Sequence, residues 1–396
     1  MISVEEATDI IHSNLLKTSV VDVELTKAVG RVLAQPIPCD RDLPPFNRAT
    51  MDGIAIQHSS LSKQSTFQIQ SIQAAGQPQQ ILNSASLCME IMTGAMLPQG
   101  TDTIIPYEQL SIDHTIAKIN FPEKVEQGQN IHRQGTDAKK GETILKPGIR
   151  LSPAEIAVLA SVGKNRVRVF EWPSVAIVST GNELVDVADT PLPYQVRKSN
   201  SYALHAALLT IGCSASIFHL PDDQTKLEAG LRQIISKHPV VILSGGVSKG
   251  KFDYVPQVLA AIGIKKHFHQ VAQKPGKPFW FGSNDNTFVF GLPGNPVSTY
   301  LCFYRYILPW LWKSFGIEHA IQTAVLSEDY SFKPPLTYFL QVKTQNEHGK
   351  LMAYPRTGEG SGDFTNLVAV NGFLELPPGK DTFKKNEVFS FIQFRF

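Results

Sequence analysis

The stretch from residue 173 to residue 316 constrains the fold of this chain most, because apolar runs typical of strands alternate there with amphipathic helical patterns. The runs are Val175–Val178, Ala215–His219, Val240–Leu243 and Phe288–Phe290, and the helical stripes are Leu227, Leu231, Ile234 and Ile235, then Val255, Val258, Leu259 and Ile262. Alternating strands and helices with short links predict a largely parallel sheet covered by helices on both faces.

Three of these predicted strands run directly into loops rich in glycine and serine. The loops are Ser179-Thr180-Gly181-Asn182-Glu183, Ser244-Gly245-Gly246-Val247-Ser248-Lys249-Gly250 and Gly291-Leu292-Pro293-Gly294-Asn295-Pro296-Val297-Ser298. Loops at the carboxyl ends of parallel strands meet where open α/β sheets bind ligands. Since exposed backbone N–H groups in such loops hold anions, we expect one composite site for phosphate or another oxyanion. Each loop taken alone also fits an ordinary tight turn, an alternative that is weaker for three loops together.

Two lysines lie close together in the segment Gln273-Lys274-Pro275-Gly276-Lys277-Pro278. The prolines and the glycine restrict the backbone, so both ammonium groups are held on one short turn. This arrangement suits a small dianion. The alternative is that both lysines are solvated turn residues.

Carboxylates on the candidate loops are possible magnesium ligands, because Mg²⁺ prefers oxygen ligands that it shares with substrate phosphates. Asp52 follows a methionine and precedes a glycine, and Glu183 lies in the first loop. Asp222 and Asp223 follow the second strand, and Asp223 is better explained as a helix N-cap. Asp253 fits either a helix N-cap or a ligand.

Composition excludes several other classes of protein. Lysine and arginine number 37 against 35 acidic residues, and this net charge of +2 is too small to indicate nucleic acid as a partner. The Walker and dinucleotide glycine patterns are absent, and the eleven histidines show no metal-ligand spacing. The four cysteines are far apart, which predicts reduced thiols in the core rather than disulfides or a zinc site.

No apolar run approaches the length of a membrane span, and the first residues do not resemble a secretion signal. We therefore expect no membrane association and a soluble, cytoplasmic protein.

The remaining sequence divides the chain further. Ser3 and Glu6 form a capping-box pattern that predicts an N-terminal helix, and Ser152 with Pro153 predicts the start of another. Between them, β-forming segments alternate with breakers, and alternating strands return near the C-terminus. The predicted domains are a discontinuous helical first domain (1–43 and 138–172), a β-rich inserted domain (44–137), an α/β domain (173–316) and a C-terminal β-barrel (317–396).

Several motifs occur together and in the order found in one known family. They are Pro45-Phe46 through Met51-Asp52-Gly53, Ile91-Met92-Thr93-Gly94-Ala95, Ser179 through Leu184, Ser244 through Gly250 with Asp253, Lys274 through Pro278, Gly291 through Ser298, and Gly358-Glu359-Gly360-Ser361-Gly362. In these motifs, which span nearly the whole chain, the sequence resembles the molybdopterin molybdenumtransferase family, which includes bacterial MoeA proteins and the gephyrin E domain.

The resemblance implies an elongated homodimer with the domain order given above. It also implies an enzyme that takes adenylylated molybdopterin and molybdate and, with Mg²⁺, releases AMP while the dithiolene acquires molybdenum. The implied partners are the upstream molybdopterin adenylyltransferase and downstream proteins of molybdoenzyme maturation.

The resemblance also implies roles for individual residues. The implied catalytic residues are Asp52, Thr93, Glu183 and Asp253, with Asp52 and Thr93 approaching from the partner subunit and with Asp52, Asp253 and Glu183 as metal ligands. The implied pterin and phosphate pocket consists of Ser199, Asn200, Asp222, Ser244, Gly245, Gly246, Ser248, Gly250, Pro293, Gly294 and Asn295. The implied molybdate site consists of Lys274, Lys277, Pro278, Ser298 and Ser361.

The sequence departs from the family pattern at positions that carry charge. Asn47, Asn182 and Lys198 stand in turns where the family usually has a carboxylate, and Pro335-Leu336 with Gln341 replace terminal-domain arginines. These losses motivate an alternative, a catalytically impaired pterin-binding or scaffold protein. A third possibility is a related pterin-adenylate enzyme that shares only the α/β domain.

Overall fold

The computed structural model describes residues 1–247, 254–317 and 321–395 of a multidomain α/β and β protein. A six-stranded sheet forms the centre of the region from 173 to 316. Its strands are, in spatial order, Ala215–Leu220, Val175–Thr180, Val240–Ser244, Phe288–Leu292, Trp280–Ser283 and Lys265–His269. The first four are parallel, which confirms the sheet predicted from the sequence, whereas the last two are antiparallel and were not predicted.

Helices cover both faces of this sheet, as the sequence predicts. They are Ser199–Thr210, Gln224–Ile235, Val255–Ala261, Pro296–Cys302 and Leu308–Ser314, with a π-helical turn at Phe303–Ile307. Successive side chains of a strand point to opposite faces. Val175 and Ile177 accordingly pack with the helices that carry Leu204 and Leu301, and Val178 packs with the helix of Leu227.

The N-terminal helix Val4–His12 begins where its capping box predicts. Ser3 Oγ accepts a hydrogen bond from the Glu6 backbone N–H at 3.0 Å, and Glu6 Oε2 accepts one from the Ser3 N–H at 2.7 Å. The buried face of the helix packs into the core of the α/β region, and Trp310 Nε1 donates to the Asn14 carbonyl at 2.7 Å. The α/β sheet is therefore covered partly by residues from the start of the chain.

The segments 1–43 and 138–172 also contain strands besides their helices. Helix Pro153–Ser161 starts at the predicted N-cap Ser152. The strands are Val20–Glu24 with Arg166–Phe170 and Ile37–Pro38 with Thr143–Leu145, both pairs antiparallel. The domain boundaries at residues 43 and 138 stay predictions.

Residues 44–137 form a second six-stranded sheet. Its spatial order is Thr103–Pro106, Gly53–Ile56, Leu87–Ile91, Thr66–Gln73, Ile116–Ile119 and Leu110–Asp113, and a short pair, Arg48–Ala49 with Ile131–His132, lies beside it. All pairs are antiparallel except Thr66–Gln73 with Leu87–Ile91.

The C-terminal region forms a closed five-stranded barrel. Its strands are, in order, Thr337–Glu347, Lys350–Pro355, Gln322–Leu326, Val388–Gln393 and Gly372–Leu376, which pairs back to the first; Tyr330–Ser331 with Thr382–Phe383 and the helix Asn366–Ala369 complete the region. The edge strand Gln273–Lys274 comes from the α/β region and runs parallel to Thr337 and Tyr338. The two regions therefore share one sheet.

All four cysteines are free and buried, as predicted. None of the helices in the described ranges is both long enough and apolar enough to cross a membrane.

Candidate functional site

Three glycine-containing loops meet at the carboxyl edge of the parallel strands. A β-carbon on Gly245 would lie 2.9 Å from the Thr180 carbonyl oxygen, and one on Gly246 would lie 2.8 Å from Thr180 Oγ1. A β-carbon on Gly294 would lie 3.8 Å from Gly245 Cα. The φ angles of Gly245 and Gly246 are +96° and +68°, which favour glycine. Glycine at these positions therefore allows the loops to approach one another closely. Ser248 and Gly250 lie outside the described residues.

Asn200 ties two of these loops to the helix that follows the first strand. Its side-chain amide nitrogen lies 2.9 Å from Ser244 Oγ, 2.7 Å from the Gly294 carbonyl oxygen and 3.3 Å from Thr299 Oγ1. Ser199 precedes it as the first residue of the helix Ser199–Thr210. Thr299 has no role in the sequence-based prediction; its signal is its place in the first turn of the helix after the third loop.

The acidic residues near the first loop have different partners. Asp222 Oδ2 accepts a hydrogen bond from the Asn182 N–H at 3.3 Å, and Asn182 Oδ1 accepts one from the Asp222 N–H at 3.2 Å. The Glu183 carboxylate folds back over Gly181, where an added β-carbon would lie 2.6 Å from Oε2. Asp223 caps the next helix by accepting from the Lys226 N–H at 2.8 Å, which confirms the expected cap. Asp253 lies outside the described residues.

The turn with Lys274 and Lys277 lies between the α/β sheet and the barrel. Both lysines are exposed, and Lys274 Nζ lies 5.6 Å from the centre of the Phe332 ring. Gly276 has a φ of +91°, and a β-carbon there would approach Cys302 Sγ to 3.0 Å. The turn therefore packs against the end of the helix Pro296–Cys302.

The first turn of the same helix meets a segment from the barrel region. Asn295 Nδ2 donates to Ser361 Oγ at 2.7 Å, and the Val297 N–H donates to the Ser361 carbonyl at 3.1 Å. Ser298, one residue further, is 3% exposed. Since one helical turn rises about 5.4 Å, the lysine turn and Ser361 contact opposite ends of a short helix that carries Ser298.

Asp52 and Thr93 face each other in the second sheet region. Asp52 Oδ1 accepts hydrogen bonds from the Thr93 N–H at 2.6 Å and from Thr93 Oγ1 at 2.7 Å. These two hydrogen bonds lower the pKa of the exposed Asp52 carboxyl below its ordinary value, the backbone donor more strongly than the hydroxyl. Within the described ranges, no hydrogen bond links this pair to the glycine loops.

Lys198, which replaces a family carboxylate, forms an ion pair with Asp186. Its Nζ lies 2.8 Å from Asp186 Oδ2, and the Lys198 side chain is only 13% exposed. The hydrogen bond from Lys198 is the main reason why the pKa of Asp186 is lowered. Gln341, which replaces an arginine, is 9% exposed and accepts a hydrogen bond from Asn366 Nδ2 at 3.2 Å.

A cavity of about 160 Å³ opens beside Asn200 between the α/β and barrel regions. It is lined mainly by apolar side chains, with Tyr300 and Phe364 among them and Arg395 at its edge. In the described part of the chain, no group of three or more His, Cys, Asp or Glu residues is close enough to hold a metal ion.

Three family models match consecutive parts of the chain. They are described as the MoeA N-terminal region (domain I and II), matching 2–163, a probable molybdopterin binding domain, matching 176–313, and the MoeA C-terminal region (domain IV), matching 323–394. The fold and its converging loops thus define a protein of the multidomain MoeA class.

Curated relatives named molybdopterin molybdenumtransferase match along nearly the full length. The Synechocystis protein is 38% identical over 99% of both chains, and the Staphylococcus epidermidis protein is 30% identical over 99% of this chain and 95% of its own. A solved structure described as the molybdopterin biosynthesis MoeA protein from Pyrococcus horikoshii OT3 has 25% identity, a TM-score of 0.85 and complete coverage of both chains. The chain belongs to the molybdopterin molybdenumtransferase family.

Proposed function

We propose that this chain inserts molybdate into adenylylated molybdopterin and releases AMP in molybdenum cofactor biosynthesis. One observation carries the proposal: the lysine turn and Ser361 contact opposite ends of the short helix Pro296–Cys302, which carries Ser298. The loop before this helix also meets the other glycine loops. Cationic and hydroxyl donors for a dianion would thus lie beside glycine backbone suited to phosphate.

Lys274 and Lys277 would supply charge to molybdate, the hydroxyls of Ser298 and Ser361 would donate hydrogen bonds to it, and Pro278, which has no N–H, would line the site. The exposure of both lysines supports this role, because neither ammonium group is withdrawn into the core. A tetrahedral dianion accepts charge-assisted hydrogen bonds from ammonium groups and further bonds from hydroxyl and backbone donors.

The phosphate and pterin parts of the substrate would bind at the glycine loops. The backbone of Gly245, Gly246 and Gly294 can approach a phosphate closely, and Asn200 holds Ser244 and Gly294 in a fixed relation. Pro293, Asn295, Ser199 and Asp222 would line this space. Roles for Ser248 and Gly250 stay predictions.

Magnesium would be held by Glu183, Asp253 and Asp52, with substrate phosphate oxygens as the other ligands. The donor chemistry of Glu183 and Asp52 fits the ion, since Mg²⁺ takes carboxylate oxygens together with substrate phosphate oxygens and waters. When bound, it would neutralise charge on the phosphate that is cleaved.

The homodimer is part of the proposal because Asp52 and Thr93 lie in the second sheet region, without a hydrogen bond to the glycine loops in the described residues. In a dimer they would reach the site of the partner subunit. An adenylyltransferase and downstream maturation proteins are the proposed partners, and the cytoplasmic location stays a prediction.

The residues of this chain would act mainly by positioning the reactants. Water cleaves the bond between the two phosphates, giving AMP and a molybdopterin phosphate. The two dithiolene thiols bind molybdenum, and one molybdate oxygen leaves as water with their two protons. Holding the dianion beside the sulfurs turns a bimolecular encounter into a local one. No protein nucleophile is needed.

A reconstitution with the purified chain, adenylylated molybdopterin, molybdate and Mg²⁺ tests the proposal by scoring AMP and the molybdenum-loaded cofactor together. AMP release should depend on molybdate and be lost when Lys274→Ala and Lys277→Ala are combined. The matched control combines Lys265→Ala with Lys266→Ala, two exposed lysines on an edge strand. Pterin binding without AMP release at any molybdate concentration would refute the proposal and favour the impaired pterin-binding alternative, which the buried Gln341 also suggests.

A further inference from the structure

A completely buried glutamine lies directly beneath the lysine turn. Gln273 is 0% exposed, although it is a polar residue next to the exposed Lys274. Its side-chain Nε2 donates to the carbonyl oxygens of Pro275 at 3.1 Å and Gly276 at 3.3 Å. One amide group therefore holds the two residues between the two lysines.

The other end of the same amide is held from the helical layer. Tyr306 donates its hydroxyl hydrogen to Gln273 Oε1, and Tyr306 is itself 1% exposed in the π-helical turn Phe303–Ile307. Because the tyrosine fixes the oxygen, the nitrogen of the amide must point at the turn.

Close packing under the turn leaves no room for a side chain at Gly276. A β-carbon on Gly276 would lie 2.6 Å from Gln273 Nε2 and 3.0 Å from Cys302 Sγ. The Cys302 thiol is buried, and burial raises its pKa to about 12, so it stays a neutral neighbour. The turn therefore packs on uncharged side chains and is held there by hydrogen bonds.

We propose that Gln273, oriented by Tyr306, is a positioning residue that fixes the spacing of Lys274 and Lys277 for binding a tetrahedral oxyanion. This inference rests on the proposed function, in which these lysines bind molybdate. Neither Gln273 nor Tyr306 touches the anion. They act by keeping the peptide groups between the lysines in one conformation before the anion arrives, so that ordering the turn costs nothing on binding.

An apolar residue of similar length removes this restraint. Gln273→Met leaves the carbonyls of Pro275 and Gly276 without their buried donor and leaves the Tyr306 hydroxyl without its acceptor. Tyr306→Phe removes only the hydrogen bond that orients the amide and keeps the ring. Both changes should loosen the turn, the first more than the second.

The matched control is Gln73→Met in the second sheet region. Gln73 is also 0% exposed, and its amide likewise holds a loop, donating to the Pro78 carbonyl at 3.1 Å and accepting from the Gln80 N–H at 2.8 Å. The control therefore repeats the same substitution at an equally buried glutamine that lies away from the lysine turn.

The first measurement is AMP release as a function of molybdate concentration. Gln273→Met should raise the half-saturating molybdate concentration roughly tenfold and leave the maximal rate within about twofold, because the lost interaction acts on binding. Tyr306→Phe should raise it less, and Gln73→Met should leave it unchanged. An unchanged half-saturating concentration in both Gln273→Met and Tyr306→Phe overturns the proposal.

The second measurement, amide hydrogen exchange of residues 273–279 in the full chain, does not depend on activity. Exchange should be faster in Gln273→Met and Tyr306→Phe than in the native chain and in Gln73→Met. Unchanged exchange overturns the restraint even if activity falls. If the native chain shows no molybdate dependence, the proposed function fails, while the exchange result still decides whether Gln273 fixes the turn.

Discussion

The ion pair between Arg305 and Glu375, at the contact between the α/β region and the barrel, should be costly to break on one side only. Arg305 Nε and Nη2 donate to the two carboxylate oxygens of Glu375 at 2.7 and 3.2 Å, and Nη1 donates to Thr8 Oγ1 at 3.2 Å. The two side chains are 18% and 20% exposed. Burial lowers the pKa of Arg305, but the charge and hydrogen bonds of Glu375, together with Tyr306, more than offset this and leave the pKa raised.

Glu375→Gln keeps the shape of this contact but leaves the guanidinium without its counter-charge. Breaking a buried pair in this way costs roughly 3–5 kcal/mol, and the residual exposure of both partners lowers our expectation to about 2–3 kcal/mol. Arg305→Met combined with Glu375→Leu should recover most of this loss, because no isolated charge remains.

Urea unfolding, followed by tryptophan fluorescence and circular dichroism, measures these differences. The matched control is Glu387→Gln, which removes the charge partner of Lys380 in the same barrel. That pair has a distance of 2.5 Å and exposures of 44% and 33%, so we expect a clearly smaller loss than for Glu375→Gln. Equal losses in Glu375→Gln and Glu387→Gln would show that the burial argument is wrong.

Two further predictions concern Asp52 and Gly245. Because the pKa of Asp52 is lowered in the folded chain, its ionised carboxylate stabilises the fold at pH values above the ordinary pKa of an aspartate. This stabilisation is lost as the pH falls through the pKa of the folded state. Thr93→Val should raise that pKa, as a carboxyl ¹³C NMR titration would show, and an unmoved titration would contradict the assignment. Gly245→Ala should lower the thermal midpoint more than Gly263→Ala. Both glycines have a positive φ, which costs an alanine roughly 1–2 kcal/mol, but only at Gly245 would the new β-carbon also press against the Thr180 carbonyl. Equal midpoints would mean that the loop yields without strain.

The sequence predicts those parts of the fold that depend on local patterns. The capping box at Ser3 and the N-cap at Ser152 are confirmed because each depends on residues within one helical turn. The parallel strands are confirmed for a similar reason, since continuous apolar runs between helices leave few other arrangements. The edge strand Lys265–His269 was not predicted because its mostly polar residues show no apolar pattern. It is recognisable as a strand only from its pairing with Trp280–Ser283.

The candidate site divides in the same way. Its loops follow from glycine and serine after apolar runs, whereas the contact between Asn295 and Ser361 joins residues far apart in sequence. Gln273 resembles any polar residue beside a lysine until the structure shows Tyr306 behind it. Such partners depend on tertiary packing, and no periodicity in the sequence encodes them.

The lysine turn is joined to the barrel because its first residues form a strand of the barrel sheet. Gln273 and Lys274 pair with Thr337 and Tyr338, and the Thr337 N–H donates to the Ala272 carbonyl at 3.0 Å. A rotation of the barrel relative to the parallel sheet would therefore move the lysine turn, and through the hydrogen bond between Asn295 and Ser361 it would also move the third glycine loop. If the lysine turn binds the anion as proposed, a ligand or subunit contact that fixes the orientation of the barrel would also change how tightly the anion is held.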